Sequence, residues 1–135
     1  MKKYLLLFVT VLSFSIILLS CNKDEENEDV VESPDIYGSW LVLQSDSQGV
    51  QYHVELKIND NNTYDWILLD SVAGHSSSFA EFTLTEDIMR ITVDADCSSV
   101  GAYYMIVEAN KLAIIAKTEE CGPRADALEW VWEKK

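Results

Sequence analysis

An all-β domain of eight short antiparallel strands, closed into an up-and-down barrel, is the fold that this sequence predicts. Three observations predict it. Eight apolar-alternating runs follow one another, at about 38–45, 50–58, 63–69, 78–85, 88–94, 101–107, 111–117 and 127–133. The links between them are short and carry turn formers, as in Asn59-Asp60-Asn61-Asn62, Glu86-Asp87 and Glu108-Ala109-Asn110. No segment sustains apolar spacing at three and four, so a long helix is not expected. Consecutive hairpins of this kind remove their exposed edges by closing on themselves.

The elements are best taken in chain order. Lys2 and Lys3 precede an apolar run from Tyr4 to Leu19, interrupted only by Thr10, Ser13 and Ser15. A basic start, a short apolar span and small residues before a cut describe a secretory signal peptide, and the span is too short for a confident transmembrane helix. Leu18-Leu19-Ser20-Cys21 resembles the bacterial lipobox. That resemblance implies cleavage before Cys21 and acylation of its sulfur and new amino group. Three acyl chains, at about 0.8 kcal/mol per buried methylene, anchor a protein far more firmly than one. Cleavage of residues 1–20 would leave 115 of the 135 residues, enough for one modest domain.

Residues 21–35 read as a lipidated, disordered acidic tether, because Asn22-Lys23-Asp24-Glu25-Glu26-Asn27-Glu28-Asp29 has almost no apolar content. Lys23-Asp24-Glu25-Glu26 also resembles the surface-export signal of Bacteroidota lipoproteins. This implies an outer-membrane, lipid-anchored protein at the cell surface, with the periplasmic face as the alternative. The formal charge of -13 becomes -15 once Lys2 and Lys3 are removed. Such a balance argues against nucleic acid, whose phosphates need clustered cations. It argues equally against electrostatic adhesion to anionic lipid, so the expected membrane contact is the N-terminal anchor.

Residues 36–135 form the barrel domain. In the second run Tyr52, Val54, Leu56 and Ile58 share one face, and Gln51, His53, Glu55 and Lys57 the other. In the fifth, Met89, Ile91 and Val93 oppose Arg90, Thr92 and Asp94; in the last, Leu128, Trp130 and Trp132 oppose Glu129 and Glu133. With Cys21 committed to lipid, Cys97 and Cys121 remain as a pair for an oxidising compartment. A hairpin of 101–107 with 111–117 turning at Ala109 pairs positions that sum to 218, as Cys97 and Cys121 also do. Extending that ladder predicts a disulfide, which would contribute about 3 kcal/mol. No CxxC or Cys/His cluster points to zinc, and no other metal or cofactor is expected.

Gly38-Ser39-Trp40 opens the first strand and resembles the Gly-x-Trp signature of lipocalins. A glycine admits the entering chain closely, and a large ring plugs an end that strands alone leave open. The likeness implies that an arginine near the last strand stacks on that ring, and Arg124 is the candidate. Cys97, Gly101-Ala102-Tyr103, Asn110-Lys111-Leu112, Glu120-Cys121-Gly122-Pro123-Arg124 and then Leu128, Trp130 and Trp132 resemble the lipocalin-like domain of bacterial lipoproteins. The resemblance covers residues 36–135 and implies a barrel with ligand-binding capacity. Glu119-Glu120 stands where the family often has Asp close to the cysteine.

The candidate interior is aromatic: Trp40, Tyr52, Tyr64, Trp66, Phe82, Tyr104, Trp130 and Trp132. In a small barrel such rings more often fill the core than line a cavity. If a pocket exists, Tyr52, Tyr64, Trp66, Tyr104, Trp130 and Trp132 should line it at the mouth opposite Trp40. It would suit a small hydrophobic or amphipathic ligand. The alternative is a filled barrel acting as a non-catalytic protein- or glycan-interaction module. An enzyme is not expected. His53 falls on an outer face beside Glu55, and His75 lies in a Gly/Ser loop whose nearness to Asp70 is no evidence of triad geometry. Asp94-x-Asp96 and Asp60-Asn61-Asn62 lack the spaced ligands of a calcium loop. Asp70-Ser71-Val72 resembles the Asp-Ser/Thr-apolar O-glycosylation site of exported Bacteroidota proteins, which implies sugar on Ser71.

Overall fold

Each alternating run becomes a strand because its apolar side chains find a common interior. The structure, a computed structural model, describes residues 34–135. The expected signal segment, Cys21 and the expected tether up to residue 33 lie outside the described residues. Eight strands follow in order: β1 (Gly38–Ser45), β2 (Gln51–Asn59), β3 (Thr63–Leu68), β4 (Ser78–Thr85), β5 (Ile88–Asp94), β6 (Gly101–Glu108), β7 (Lys111–Thr118) and β8 (Val131–Lys134). Every neighbouring pair is antiparallel, and β8 returns to β1 through Trp40↔Lys134 and Leu41↔Glu133, which closes the barrel.

The hairpin turns at one end are tight. Asp60, Asn61 and Asn62 link β2 to β3, with Asn62 in the left-handed conformation at φ 64°, a conformation asparagine tolerates well. The opposite end carries the longer connections: 46–50, 69–77, 95–100 and 119–130. The last of these holds a helix of about two turns, α1 (Gly122–Leu128). The expected eighth strand at 127–133 is therefore corrected. Its first two residues, Ala127 and Leu128, end the helix, and the strand begins at Val131. Pro123 in the first turn and Arg124 with Leu128 four residues apart, both buried, explain the helix.

The interior is filled. Trp40, Trp132, Tyr103, Leu56, Ile58, Met89, Met105 and Leu112 are all buried. Both fully buried indoles find acceptors: Trp40 Nε1 donates to the Ile36 carbonyl at 2.8 Å, and Trp132 Nε1 to that of Leu128 at 3.2 Å. Two expected interior residues are corrected. Tyr104 faces outward, with Lys117 Nζ 5.1 Å from its ring centre, and its neighbour Tyr103 takes the interior position. Val93 is 51% exposed, because β5 carries one extra residue: Glu81 pairs with Val93 but Phe82 with Ile91. The bulge at Thr92 reverses the faces beyond it, so Asp94 pairs with the inward Ala80.

Gly38 and Trp40 act together at the tight-turn end. The cation over the Trp40 ring is Lys134, with Nζ 4.4 Å from the centroid and 2.7 Å from the Tyr37 carbonyl. Arg124 does not reach this ring. Gly38 has φ 113°, and a side chain there would meet Lys134 Nζ at 3.2 Å. Replacing Trp40 by alanine empties the plug of this end. Urea unfolding should show a loss of about 3–5 kcal/mol, and a loss below about 1 kcal/mol would place the ring outside the core.

Candidate functional site

The end opposite Trp40 is closed by chemistry rather than by a tight turn. Arg124, on the first turn of α1, is only 4% exposed. Its Nε donates to Glu119 Oε2 at 2.7 Å and its Nη2 to Glu119 Oε1 at 2.8 Å, a two-pronged carboxylate contact. Nη1 reaches Asp94 Oδ2 at 3.3 Å and Nη2 the Ser99 carbonyl at 2.8 Å. Tyr103 donates its hydroxyl hydrogen to Glu119 Oε2, and the Cys121 backbone N–H donates to Glu119 Oε1 at 2.7 Å.

Both carboxylates are delivered by bulges. Asp94 turns inward because of the extra residue in β5. In β7, Ala102 pairs with Thr118 but Tyr103 with Ala116, so Lys117 is extra and Glu119 takes the inward phase in place of Thr118. Burial by itself would raise the Glu119 carboxyl. The Arg124 guanidinium, the Tyr103 hydroxyl and the Cys121 N–H overcome that and hold it at about 2. Burial, reinforced by the carboxylate of Glu119, pushes the Tyr103 hydroxyl well above its ordinary value.

The Cys97–Cys121 disulfide joins the β5–β6 connection to the residue preceding α1, with Cα atoms 6.0 Å apart. The expected bond is present, but the expected register is not. Paired positions from Tyr103 to Glu108 sum to 219, and both cysteines lie beyond the ladder. The far end of α1 is held by side chains. Gln44, 2% exposed, donates Nε2 to the Ala127 carbonyl at 2.9 Å, and Trp66 Nε1 donates to the same oxygen at 3.3 Å. They satisfy a carbonyl that a helix terminus leaves without an internal partner.

Above this floor lies an open cleft of about 1320 Å³, bordered by the β1–β2 and β3–β4 connections and by α1. Tyr52, Trp66 and Trp130 line it, with His75, Ser71, Asp46 and Asp126. Tyr52 is 6% exposed, and the His75 ring lies 4.8 Å from its centre at 39°. Burial, then the nearby carboxylates of Asp46 and Asp126, raise the Tyr52 hydroxyl above its ordinary value. Trp130 is half-buried and donates Nε1 to the Asp126 carbonyl at 2.7 Å.

The six expected lining rings therefore separate. Tyr52, Trp66 and Trp130 meet at the cleft. Tyr64 lies lower, beside a space of about 60 Å³ next to Arg124, large enough for a water or two. Trp132 belongs to the sealed core, and Tyr104 to the outer wall. Ser71 is exposed at the cleft rim. The histidines serve different loops. His53 Nδ1 lies 2.8 Å from Asp70 Oδ2, and its backbone N–H donates to the same oxygen at 2.6 Å, which lowers the Asp70 carboxyl. Asp70 is thus engaged by His53 rather than by His75. Among the described residues, no group of three or more His, Cys, Asp or Glu could hold a metal ion.

Sequence reading missed Gln44, Asp94, Glu119 and Lys134 as placed residues. Only α1 had a usable signal, in Pro123 and the Arg124/Leu128 spacing. The chain matches no family model, no curated protein and no solved structure with which it was compared.

The Glu119 carboxylate sets an acid limit. Its folded value near 2 lies below the ordinary one of 4.5, so its contribution is complete above pH 4.5 and is lost as pH falls toward 2. In Glu119→Gln, which carries no titrating carboxyl, the stability curve should flatten over this window relative to the wild type. Parallel curves for the two proteins would show that the carboxylate is not held by Arg124.

Proposed function

We propose that this chain is a lipoprotein of an outer membrane, held at the cell surface by acylated Cys21, whose barrel binds a small hydrophobic or amphipathic ligand. The carrying observation is the cleft at the end opposite Trp40, where Tyr52, Trp66 and Trp130 come together around an open space of about 1320 Å³. Aromatic faces beside a few polar groups form the usual lining of a small-molecule site. The packed interior supports binding at the mouth rather than deep in the lumen. The lipobox-like Leu18-Leu19-Ser20-Cys21 and the acidic Lys23-Asp24-Glu25-Glu26 support the anchor and the outer face, and the Gly-x-Trp start supports kinship with lipocalin-like lipoproteins. Sugar on Ser71 belongs to the same surface reading. No catalytic role is assigned to the chain.

A second reading, a protein- or glycan-interaction module, draws support from the outer wall. Ile106 pairs with Ala113 and Ala113 with Val131, while Ile115 pairs with Tyr104. Ile106, Ile115 and Val131 are 41%, 47% and 57% exposed. Mass spectrometry of the protein purified from membranes should give a chain lacking residues 1–20 and carrying acyl mass on Cys21. Gentle ionisation should also show a co-purified small molecule that is lost from a Trp66→Ala/Trp130→Ala variant. An unmodified chain would refute the anchor, and a chain free of bound molecule would turn the function to the outer wall.

A further inference from the structure

The cleft is one-sided in charge. Asp46, Asp96, Asp126 and Glu129 border it, with His75 Nε2 3.9 Å from Asp46 Oδ2, and among the described residues no lysine or arginine side chain does. Arg124 lies beneath, its guanidinium occupied by Glu119, Asp94 and the Ser99 carbonyl. Lys57, Lys111, Lys134 and Lys135 lie instead toward the Trp40 end, as their pairing with Ser39, Glu108, Trp40 and β1 places them. Carboxylates without lysine or arginine therefore border the open mouth.

Carboxylates alone would describe a solvated rim. Here they stand beside aromatic faces in a concavity, and one polar group within it is incompletely used. Tyr52 is 6% exposed, and among the described residues its hydroxyl has no hydrogen-bond partner. No fully buried side-chain nitrogen or oxygen lacks a partner, so this hydroxyl is reached from the cleft. A tyrosine hydroxyl is neutral near pH 7, so it adds an acceptor rather than another full charge. Aromatic faces attract cations through their quadrupole, and partial burial strengthens a carboxylate's pull compared with open water. The same surroundings disfavour an apolar anion such as a fatty carboxylate.

We propose that the cleft selects an organic cation, an amine or quaternary ammonium group on a small apolar body, with its charge held by Asp46 and Asp126 beside Tyr52. The apolar body lies against Trp66 and Trp130. This rests on the reading of the cleft as a ligand site, and it names the chemical class that the site takes.

Hexyltrimethylammonium, hexanol and hexanoate share one apolar chain and differ in charge. Titrated into the full acylated protein in phosphatidylcholine nanodiscs, with tryptophan fluorescence as the readout, the cation should bind about tenfold more tightly than the alcohol. Hexanoate should bind most weakly. Asp46→Asn/Asp126→Asn, which keeps one polar oxygen at each position, should bring cation and alcohol within about twofold of each other. Glu81→Gln/Glu108→Gln, an equal loss of charge on strands away from the cleft, should preserve the preference. Equal binding of all three probes would overturn the cation inference and leave the ligand site standing. A preference lost equally in both double variants would overturn it as a property of net charge alone. No binding of any probe would overturn the inference together with the ligand site.

Discussion

A buried guanidinium is the constraint on which the open end of this barrel depends. Arg124 is withdrawn from water, and a charge so placed is tolerable only where carboxylates and carbonyls surround it. Glu119, five residues away, and Asp94 and the Ser99 carbonyl, 30 and 25 residues away, meet that need. The cluster thereby ties α1 to the ends of β5 and β7 and to the start of β6. Gly101 is part of the same solution. A side chain there would fall 2.8 Å from Arg124 Nη2 and closer still to Glu119 Oε2, so the strand must be bare where the ion pair lies against it.

The bulges at Thr92 and Lys117 then have a clear purpose in the fold. Without them Val93 and Thr118 would face inward, and the guanidinium would meet a methyl group and a hydroxyl. One inserted residue in each strand replaces these with Asp94 and Glu119. The disulfide and the Gln44 and Trp66 contacts hold the two ends of α1 over the same spot. A rigid floor results, and the cleft of Tyr52, Trp66 and Trp130 sits on it. The two ends of the barrel thus use a cation differently. Lys134 lies over an indole face beside solvent, whereas Arg124 is enclosed by carboxylates.

What was legible in the sequence follows from this division. A period of two survives in any half-buried strand, so eight strands, their order and the closed barrel could be read from alternation and turn residues. The inward set of β2, from Tyr52 to Ile58, is a direct example. A bulge leaves no such trace, because one extra residue looks like ordinary alternation until the partner strand is known. That is why Val93 was expected inside and Asp94 outside. The cysteine pair was legible because few partners were available, although the ladder used to support it was out of register. Arg124 was legible as a special residue but not in its role. Its partners are set by two strand bulges and a loop carbonyl, whose positions no periodicity encodes, and Gly-x-Trp says nothing about which cation covers the ring. Helix α1 was overlooked because the apolar alternation of Leu128, Trp130 and Trp132 drew the strand back to residue 127, over the last residues of the helix that Pro123 begins.

The most direct measurement is a double-mutant cycle between Arg124 and Glu119, with Arg124→Met, Glu119→Gln and the combined variant followed by urea unfolding at neutral pH. If the ion pair holds the open end together, the two positions should be coupled by about 2–3 kcal/mol, with the combined variant far less damaged than the sum of the singles. A coupling under about 0.5 kcal/mol would mean that each residue acts alone, and the account of the bulges, the floor and the cleft above it would lose its basis.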